Sequence, residues 1–297
     1  VYLEKFDLDL RYGENSHEKA EIFGKPEFEI LHEGKQLSYN NILDAEAAYV
    51  IANNLKKLKG YASVVVKHQT PCGASIKNDK VESILSAIAA DEESSFGGIL
   101  AVNFEFDEEC AMAIKKKYLE VVVAESFTQK AIEALSKKKV RILKINNYEP
   151  KVGKPAFGAF LVGERKLPDL KFTHVAGPQL DVEELNELLF AFIVVEGVKS
   201  NAILISKDMT TVGIGTGQPS RKRAAWIATE LAGEKAKNAY AASDAFFPFP
   251  DGLEILAKAG VKAVVSPMGS IRDEEVINAA EKMGLSFYKA EGRVFRH

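Results

Sequence analysis

The chain has 297 residues, 46% of them hydrophobic and 27% charged, the composition of a globular protein long enough for two ordinary domains or one large one. Lys and Arg number 39 against 42 Asp and Glu, a formal charge of −3 with no basic block beyond Lys137–Lys139 and Arg221–Arg223, which argues against nucleic acid as a partner. No run of about 20 apolar residues is present to cross a bilayer and no secretory signal opens the chain. Two cysteines, Cys72 and Cys110, make no disulfide framework, so a cytoplasmic setting is expected.

Apolar runs that read as strands alternate with runs that read as helices. A helix is predicted over Asp44–Leu58, a strand over Ser63–Val66, a helix over Val81–Ala90 and a strand over Gly98–Val102. Helix Glu108–Tyr118, strand Val121–Ala124, helix Gln129–Lys138 and strand Val140–Ile145 follow. The stretch Tyr148–Gly177, rich in Pro and Gly and weak in pattern, reads as a join. Beyond it come helix Val182–Val195, strands Ala202–Ser206 and Thr211–Ile214, and helix Arg221–Ala232. Strand Ala239–Ala242, helix Leu253–Ala259, strand Lys262–Ser266 and helix Glu274–Met283 complete the series. This alternation predicts an α/β fold with a largely parallel or mixed sheet, in two lobes, 1–177 and 178–297. No internal repeat is clear in the sequence.

The chemistry-bearing stretches begin with Val64–Gly73. The β-branched run Val64–Val66 reads as a strand buried on both faces, as in a parallel sheet, broken by Pro71-Cys72-Gly73. Lys67 and His68 then stand at a strand end, where α/β sheets bind ligands. His68 is a candidate general base and Lys67 a candidate stabiliser of negative charge on oxygen; a polar strand end without a role is the alternative. A zinc-deaminase reading of His68 and Pro71-Cys72 lacks its second cysteine, since Gly73-Ala74-Ser75 follows, so no zinc site is expected.

Ser94–Gly98 puts two glycines ahead of a buried strand. In Thr211–Arg221 a strand enters a Gly-rich turn, and a helix follows with Ser220 as its N-cap and Arg221 beside it, a phosphate seat or simply a tight turn. The glycine spacing matches neither a dinucleotide fingerprint nor a Walker loop. Phe246, Phe247 and Phe249 around Pro248 form an apolar wall suited to a flat heterocycle or to a core corner, and Asp251 at its edge reads as N-cap or ligand.

Leu10–Asn15, Leu37–Asp44, Val66–His68 with Pro71 and Gly73, and Ser95–Gly98 occur in the order of a known family. So do Val198–Ala202, Gly213–Gly215 with Gly217-Gln218 and Ser220-Arg221, Ser243–Phe249, Gly269-Ser270 with Arg272-Asp273, and Phe295–His297. From about residue 8 to its end the chain resembles the transformylase region of the bifunctional purine biosynthesis proteins, which join AICAR formyltransferase to IMP cyclohydrolase. The cyclohydrolase domain that precedes Arg11 in that family is absent from this sequence, which opens at Val1 rather than Met; the C-terminal part of a longer protein is expected, with a standalone transformylase as the alternative.

The resemblance implies formyl transfer from 10-formyltetrahydrofolate to the 5-amino group of AICAR, two cytidine-deaminase-like lobes without zinc, and sites formed across a homodimer. His68 matches the family's catalytic histidine, Lys67 its lysine, and Asn201 a residue that holds the substrate. Arg11, Tyr12 and Arg221 match residues that address the nucleotide, and Asn41, Gly97, Glu120, Arg293 and Phe295 complete the AICAR pocket. Phe246, Phe249, Asp251, Pro267 and Ser270 match the folate side. A structural potassium ion is implied near Ser200 and Asp244. A catalytically impaired nucleotide-binding module of the same fold is the alternative. Ser16, Glu18, Lys222 and Pro250 depart from the family pattern; Pro250 stands where an Arg is often found, which removes a charge near the folate.

Overall fold

The computed structural model describes residues 3–146 and 148–297. Its first half contains β1 (Lys5–Phe6), β2 (Ile22–Phe23), β3 (Phe28–His32), α1 (Tyr39–Asn54), β4 (Tyr61–Lys67), β5 (Thr70–Lys77), α2 (Lys80–Ala89) and α3 (Glu92–Ser95). Then come β6 (Gly98–Val102), α4 (Glu108–Ala113), β7 (Leu119–Ala124), α5 (Gln129–Ser136) and β8 (Arg141–Ile145). A separate hairpin, β9 (Lys151–Ala156) and β10 (Ala159–Glu164), leads to β11 (Phe172–Ala176) and α6 (Val182–Val195). The rest is β12 (Ile203–Lys207), β13 (Thr210–Gly215), α7 (Arg221–Ala232), β14 (Tyr240–Ser243), α8 (Asp251–Lys258), β15 (Ala263–Pro267), α9 (Asp273–Met283) and β16 (Ser286–Ala290).

A 12-stranded mixed sheet runs in the order β11-β16-β15-β14-β12-β13-β5-β4-β6-β7-β8-β3. Outward from the seam between β13 and β5, both directions give one succession. An antiparallel hairpin is followed by an antiparallel neighbour, two parallel strands and an antiparallel edge strand. The doubling that the sequence hides is therefore plain in the topology. At the seam Thr210 pairs with Ser75, and the Thr211 hydroxyl accepts from the Ala74 N–H at 3.0 Å.

Helices cover both faces. On one face α1 and α6 share a single core spanning both halves, with Ala48, Ile51, Phe190 and Ile193 packed on Val64, Val66 and Leu204. On the other, α2 and α4 close over Val65, Leu100 and Val122, while α7, α8 and α9 close over Ile203 and Val264. Both central helices start in capping boxes, Ser38 with Asn41 and Asp181 with Glu184. No helix among the described residues is long and apolar enough to cross a membrane.

Helices Val182–Val195 and Arg221–Ala232 form as predicted. The predicted helix Asp44–Leu58 instead starts at Tyr39, because the Ser38 capping box adds a turn. The predicted helix Glu108–Tyr118 stops at Ala113. The parallel environment expected for Val64–Val66 is corrected: the three valines are fully buried, but β4 is antiparallel to both neighbours. Nor do Pro71, Cys72 and Gly73 break the strand. They lie within β5, and Pro71 sits opposite Val66 at a register shift, where a missing N–H is tolerated. The presumed join holds the β9–β10 hairpin and β11, the edge strand of the second half's sheet.

Gly73 is dictated by close approach of α2 to β5: a Cβ there would lie 1.9 Å from the Ala87 carbonyl oxygen. Gly213 meets α7 in the same way, 2.1 Å from the Ala228 oxygen. Because backbone cannot rotate aside, Gly73→Ala is expected to destabilise the protein by about 2–3 kcal/mol, read as a lowered urea midpoint at unchanged slope.

Candidate active site

Between β4 and β5 the chain reverses in two residues, His68 and Gln69, whose φ angles are 54° and 59°. This is the conformation that a two-residue hairpin demands, and histidine tolerates it better than most residues. The turn is tied to α1, where the Asp44 carboxylate accepts the His68 N–H at 3.1 Å and the Gln69 N–H at 2.7 Å. Burial pushes the Asp44 carboxyl above the ordinary aspartate range, opposed by those two hydrogen bonds and by the charges of His68 and Lys199. Lys67, the last residue of β4, donates from Nζ to the Phe96 carbonyl at 2.9 Å. Both side chains line a cleft of about 610 Å³ with Thr70, Asp91 and Ser94, and Thr211 and Thr216 line it from the second half.

On the same helix as Asp44, Asn41 donates from Nδ2 to Glu120 at 2.9 Å. Glu120 lies 3.5 Å from Arg141, a buried guanidinium that also donates to the Lys35 and Gln36 carbonyls. Arg11 and Tyr12 run beside this group: the Arg11 N–H donates to the Leu37 carbonyl at 2.7 Å, and its guanidinium lies 5.2 Å over the Tyr12 ring. Burial, reinforced by the Arg11 charge, holds Arg141 below the usual guanidinium range. Gly97, at φ 76°, donates to the Tyr118 carbonyl at 2.8 Å next to the Lys67–Phe96 contact.

The second half gathers Asn201, Arg221, Phe246, Phe249, Asp251 and Phe295 around a cavity of about 430 Å³. Arg221 is turned inward, with its guanidinium donating to Asn201 Oδ1 at 2.6 Å, Ser243 Oγ at 2.8 Å and Asp244 Oδ1 at 2.5 Å. Asn201 is held at its other end by donation to the Gln218 carbonyl at 2.8 Å. Ser220 occupies the N-cap position of α7 without a side-chain capping bond.

The aromatic wall divides. Phe247 is buried against Phe287, whereas Phe246 and Phe249 are exposed to the cavity. Asp251 is the first residue of α8 rather than its cap, and pairs with Lys222 at 3.8 Å. The Arg272 guanidinium lies 4.7 Å over the Phe249 ring, so a cation stands here despite Pro250. Pro267 ends β15, and the Ser270 N–H donates to Asp273 at 3.1 Å. Arg293 stacks 5.0 Å over Phe295, and the Ser200 N–H donates to the Arg296 carbonyl, pinning the chain's last residues beside Asn201.

Lys67 and His68 thus line one cavity and Asn201 another, and no lining residue is common to the two. Sequence reasoning passed over Arg141; it named Asp44 only as a helix start and Asp244 only beside an implied cation. The signal for Asp44 was a carboxylate three residues after Asn41, which puts both on one face of α1. Asp244 is fully buried, and its Oδ2 has no partner among the described residues.

No group of three His, Cys, Asp or Glu that would hold a metal occurs among the described residues. The Cys72 thiol contacts the Val65 carbonyl and Ser95 instead. Burial pushes Cys72 up to about 11 and Cys110 up to about 12 from an ordinary 9.0. At pH about 8 a thiol-exchange reagent is therefore expected to react with the unfolded chain but only slowly with the native one, which a spectrophotometric thiol titration with and without denaturant checks.

The family described as "AICARFT/IMPCHase bienzyme" matches residues 3–231. "Bifunctional purine biosynthesis protein PurH" of Thermotoga maritima is 67% identical over 291 residues, 98% of this chain and 64% of that protein. The protein of that name from Desulfitobacterium hafniense is 42% identical over 308 residues, 97% of this chain and 58% of its own. That from Bacillus cereus is 43% identical over 305 residues, 97% of this chain and 59% of its own. The chain spans between 58% and 64% of the length of these relatives. A solved structure, Acinetobacter baumannii RibD, form 2, aligns with TM-score 0.25 and 23% identity over 31% of this chain and 30% of that one, too little to bear on the fold.

Proposed function

Because the chain belongs to the AICARFT/IMPCHase bienzyme family, we propose that it performs the formyl-transfer reaction, carrying the formyl group of 10-formyltetrahydrofolate to the 5-amino group of AICAR. The observation that carries this reading is the Lys67-His68 pair held on a fixed hairpin turn at the rim of a cleft. The AICAR amine is a poor nucleophile, its lone pair delocalised into the ring and carboxamide, and it must lose a proton as it attacks. In the proposed step a bond forms between the amine nitrogen and the formyl carbon, and the bond from that carbon to folate N10 breaks. His68 takes the amine proton and N10 gains one on leaving. The Lys67 ammonium stabilises the oxyanion of the tetrahedral intermediate or supplies that proton.

Asn201 orients the substrate, with Arg221 acting on it through the hydrogen bond to Oδ1. Arg11, Tyr12, Asn41, Gly97, Glu120, Arg293 and Phe295 are assigned to AICAR, and Phe246, Phe249, Asp251, Pro267 and Ser270 to the folate. We assign the fold to two cytidine-deaminase-like lobes, a reading supported by the doubled strand order, with β11 (Phe172–Ala176) counted in the second lobe rather than in 1–177. A homodimer would bring the Lys67-His68 cleft of one copy to the Asn201 cavity of another, and a cytoplasmic setting with a fused IMP cyclohydrolase domain suits the pathway. The partnerless Oδ2 of Asp244 fits a monovalent cation, which would neutralise that oxygen beside Asn201.

The test is AICAR-dependent release of tetrahydrofolate, followed spectrophotometrically. Turnover supports formyl transfer; AICAR binding without turnover would mark an impaired nucleotide-binding module instead.

A further inference from the structure

The two halves repeat each other down to single hydrogen bonds. Lys67-His68-Gln69-Thr70 closes the β4–β5 hairpin and Lys207-Asp208-Met209-Thr210 the β12–β13 hairpin, with φ of 54° and 59° in one turn and 52° and 51° in the other. Lys67 Nζ donates to the Phe96 carbonyl and Lys207 Nζ to the Lys237 carbonyl, both at 2.9 Å. Asp44 and Glu187 stand at the same position counted from the first residue of α1 and α6. There the likeness ends: among the described residues Glu187 accepts only the Met209 N–H, at 2.8 Å, and its other oxygen has no partner, whereas Asp44 accepts from both turn residues.

Left-handed backbone at two successive non-glycine residues is unfavourable, and His-Gln lacks the Asn-Gly chemistry that such a turn prefers. A buried carboxylate receiving both N–H groups offsets that cost with charge-assisted bonds. It also fixes the His68 Cα–Cβ direction, which a single contact at the following residue does not. We infer that Asp44 is a positioning residue for the proposed formyl transfer, holding the His68–Gln69 turn so that the imidazole is aimed into the cleft. The inference rests on the formyl-transfer reading and adds to it the residue that aims the base.

Asp44→Asn keeps the shape but sets an amide N–H₂ against one of the two N–H donors. It is expected to lower kcat about 100-fold, with KM for AICAR within about threefold. Added to His68→Ala it should cost nothing further, because its effect passes through that imidazole. Gln69→Gly, which gives the turn the residue it favours, should recover at least about tenfold in the Asp44→Asn background. Glu187→Gln, the same change in the other half, should leave kcat within about twofold, an outcome that general loosening of the fold would not give. In the wild type, exchange of the His68 and Gln69 amides should be at least about 100-fold slower than in an open chain, a measurement that needs no variant.

An inactive wild type would overturn the formyl-transfer reading and this inference with it. An active wild type with Asp44→Asn at near-normal kcat, with additive Asp44 and His68 effects, or with unprotected turn amides would overturn the role of Asp44 alone.

Discussion

His68→Ala is expected to lower kcat for formyl transfer by about 10³-fold, or about 4 kcal/mol of barrier, while the dissociation constant for AICAR moves less than about threefold. The split follows from geometry. The turn is held through backbone N–H groups accepted by Asp44, so losing the imidazole leaves the loop in place. The Asn41–Glu120 and Asn201–Arg221 pairs assigned to substrate are held by hydrogen bonds between their own side chains, on other elements. Steady-state kinetics with calorimetric titration of AICAR separate the two effects. A variant within about tenfold of wild-type kcat would remove His68 as general base.

Arg221→Ala is expected to produce the largest loss of stability, about 3–5 kcal/mol. Asp244 is fully buried, and one of its oxygens is partnerless even with the arginine present. Without the guanidinium it loses its one charged partner among the described residues, and Ser243 and Asn201 each lose a donor. The Arg221→Ala, Asp244→Ala double variant should be more stable than Arg221→Ala alone, since removing both charges removes the penalty. Trp226, the only tryptophan, lies on the same helix and reports urea unfolding by fluorescence. A loss under about 1 kcal/mol for the single variant would show that water or a cation reaches Asp244.

Legibility from sequence followed how local each signal was. α6 and α7 were readable to the residue because an N-cap position and an apolar face mark them within one segment. The β4–β5 hairpin was not, since a turn of His-Gln carries none of the usual turn residues and Pro71 suggested a break. What holds that turn is Asp44, 24 residues upstream, and no local pattern encodes such a contact. The same distance hid the doubling. Lys67-His68-Gln69-Thr70 and Lys207-Asp208-Met209-Thr210 share too little sequence to register as a repeat until the strand order aligns them. Candidate residues were individually legible as strand ends, helix starts and an aromatic run. Which way each side chain faces was not. Arg221 reads as an open phosphate seat and is turned inward to Asn201 and Asp244; Phe247 reads as one of three wall residues and is core.

In the proposed reaction a formyl carbon moves between two nitrogens with the help of a base carried on the β4–β5 turn. Supplying 10-formyltetrahydrofolate labelled with ¹³C in the formyl group, with AICAR and the chain, tests it directly by NMR of the products. The label is expected on the 5-amino nitrogen of AICAR in step with tetrahydrofolate formation. Label that stays on folate while AICAR is bound, or that emerges as free formate, would contradict the account.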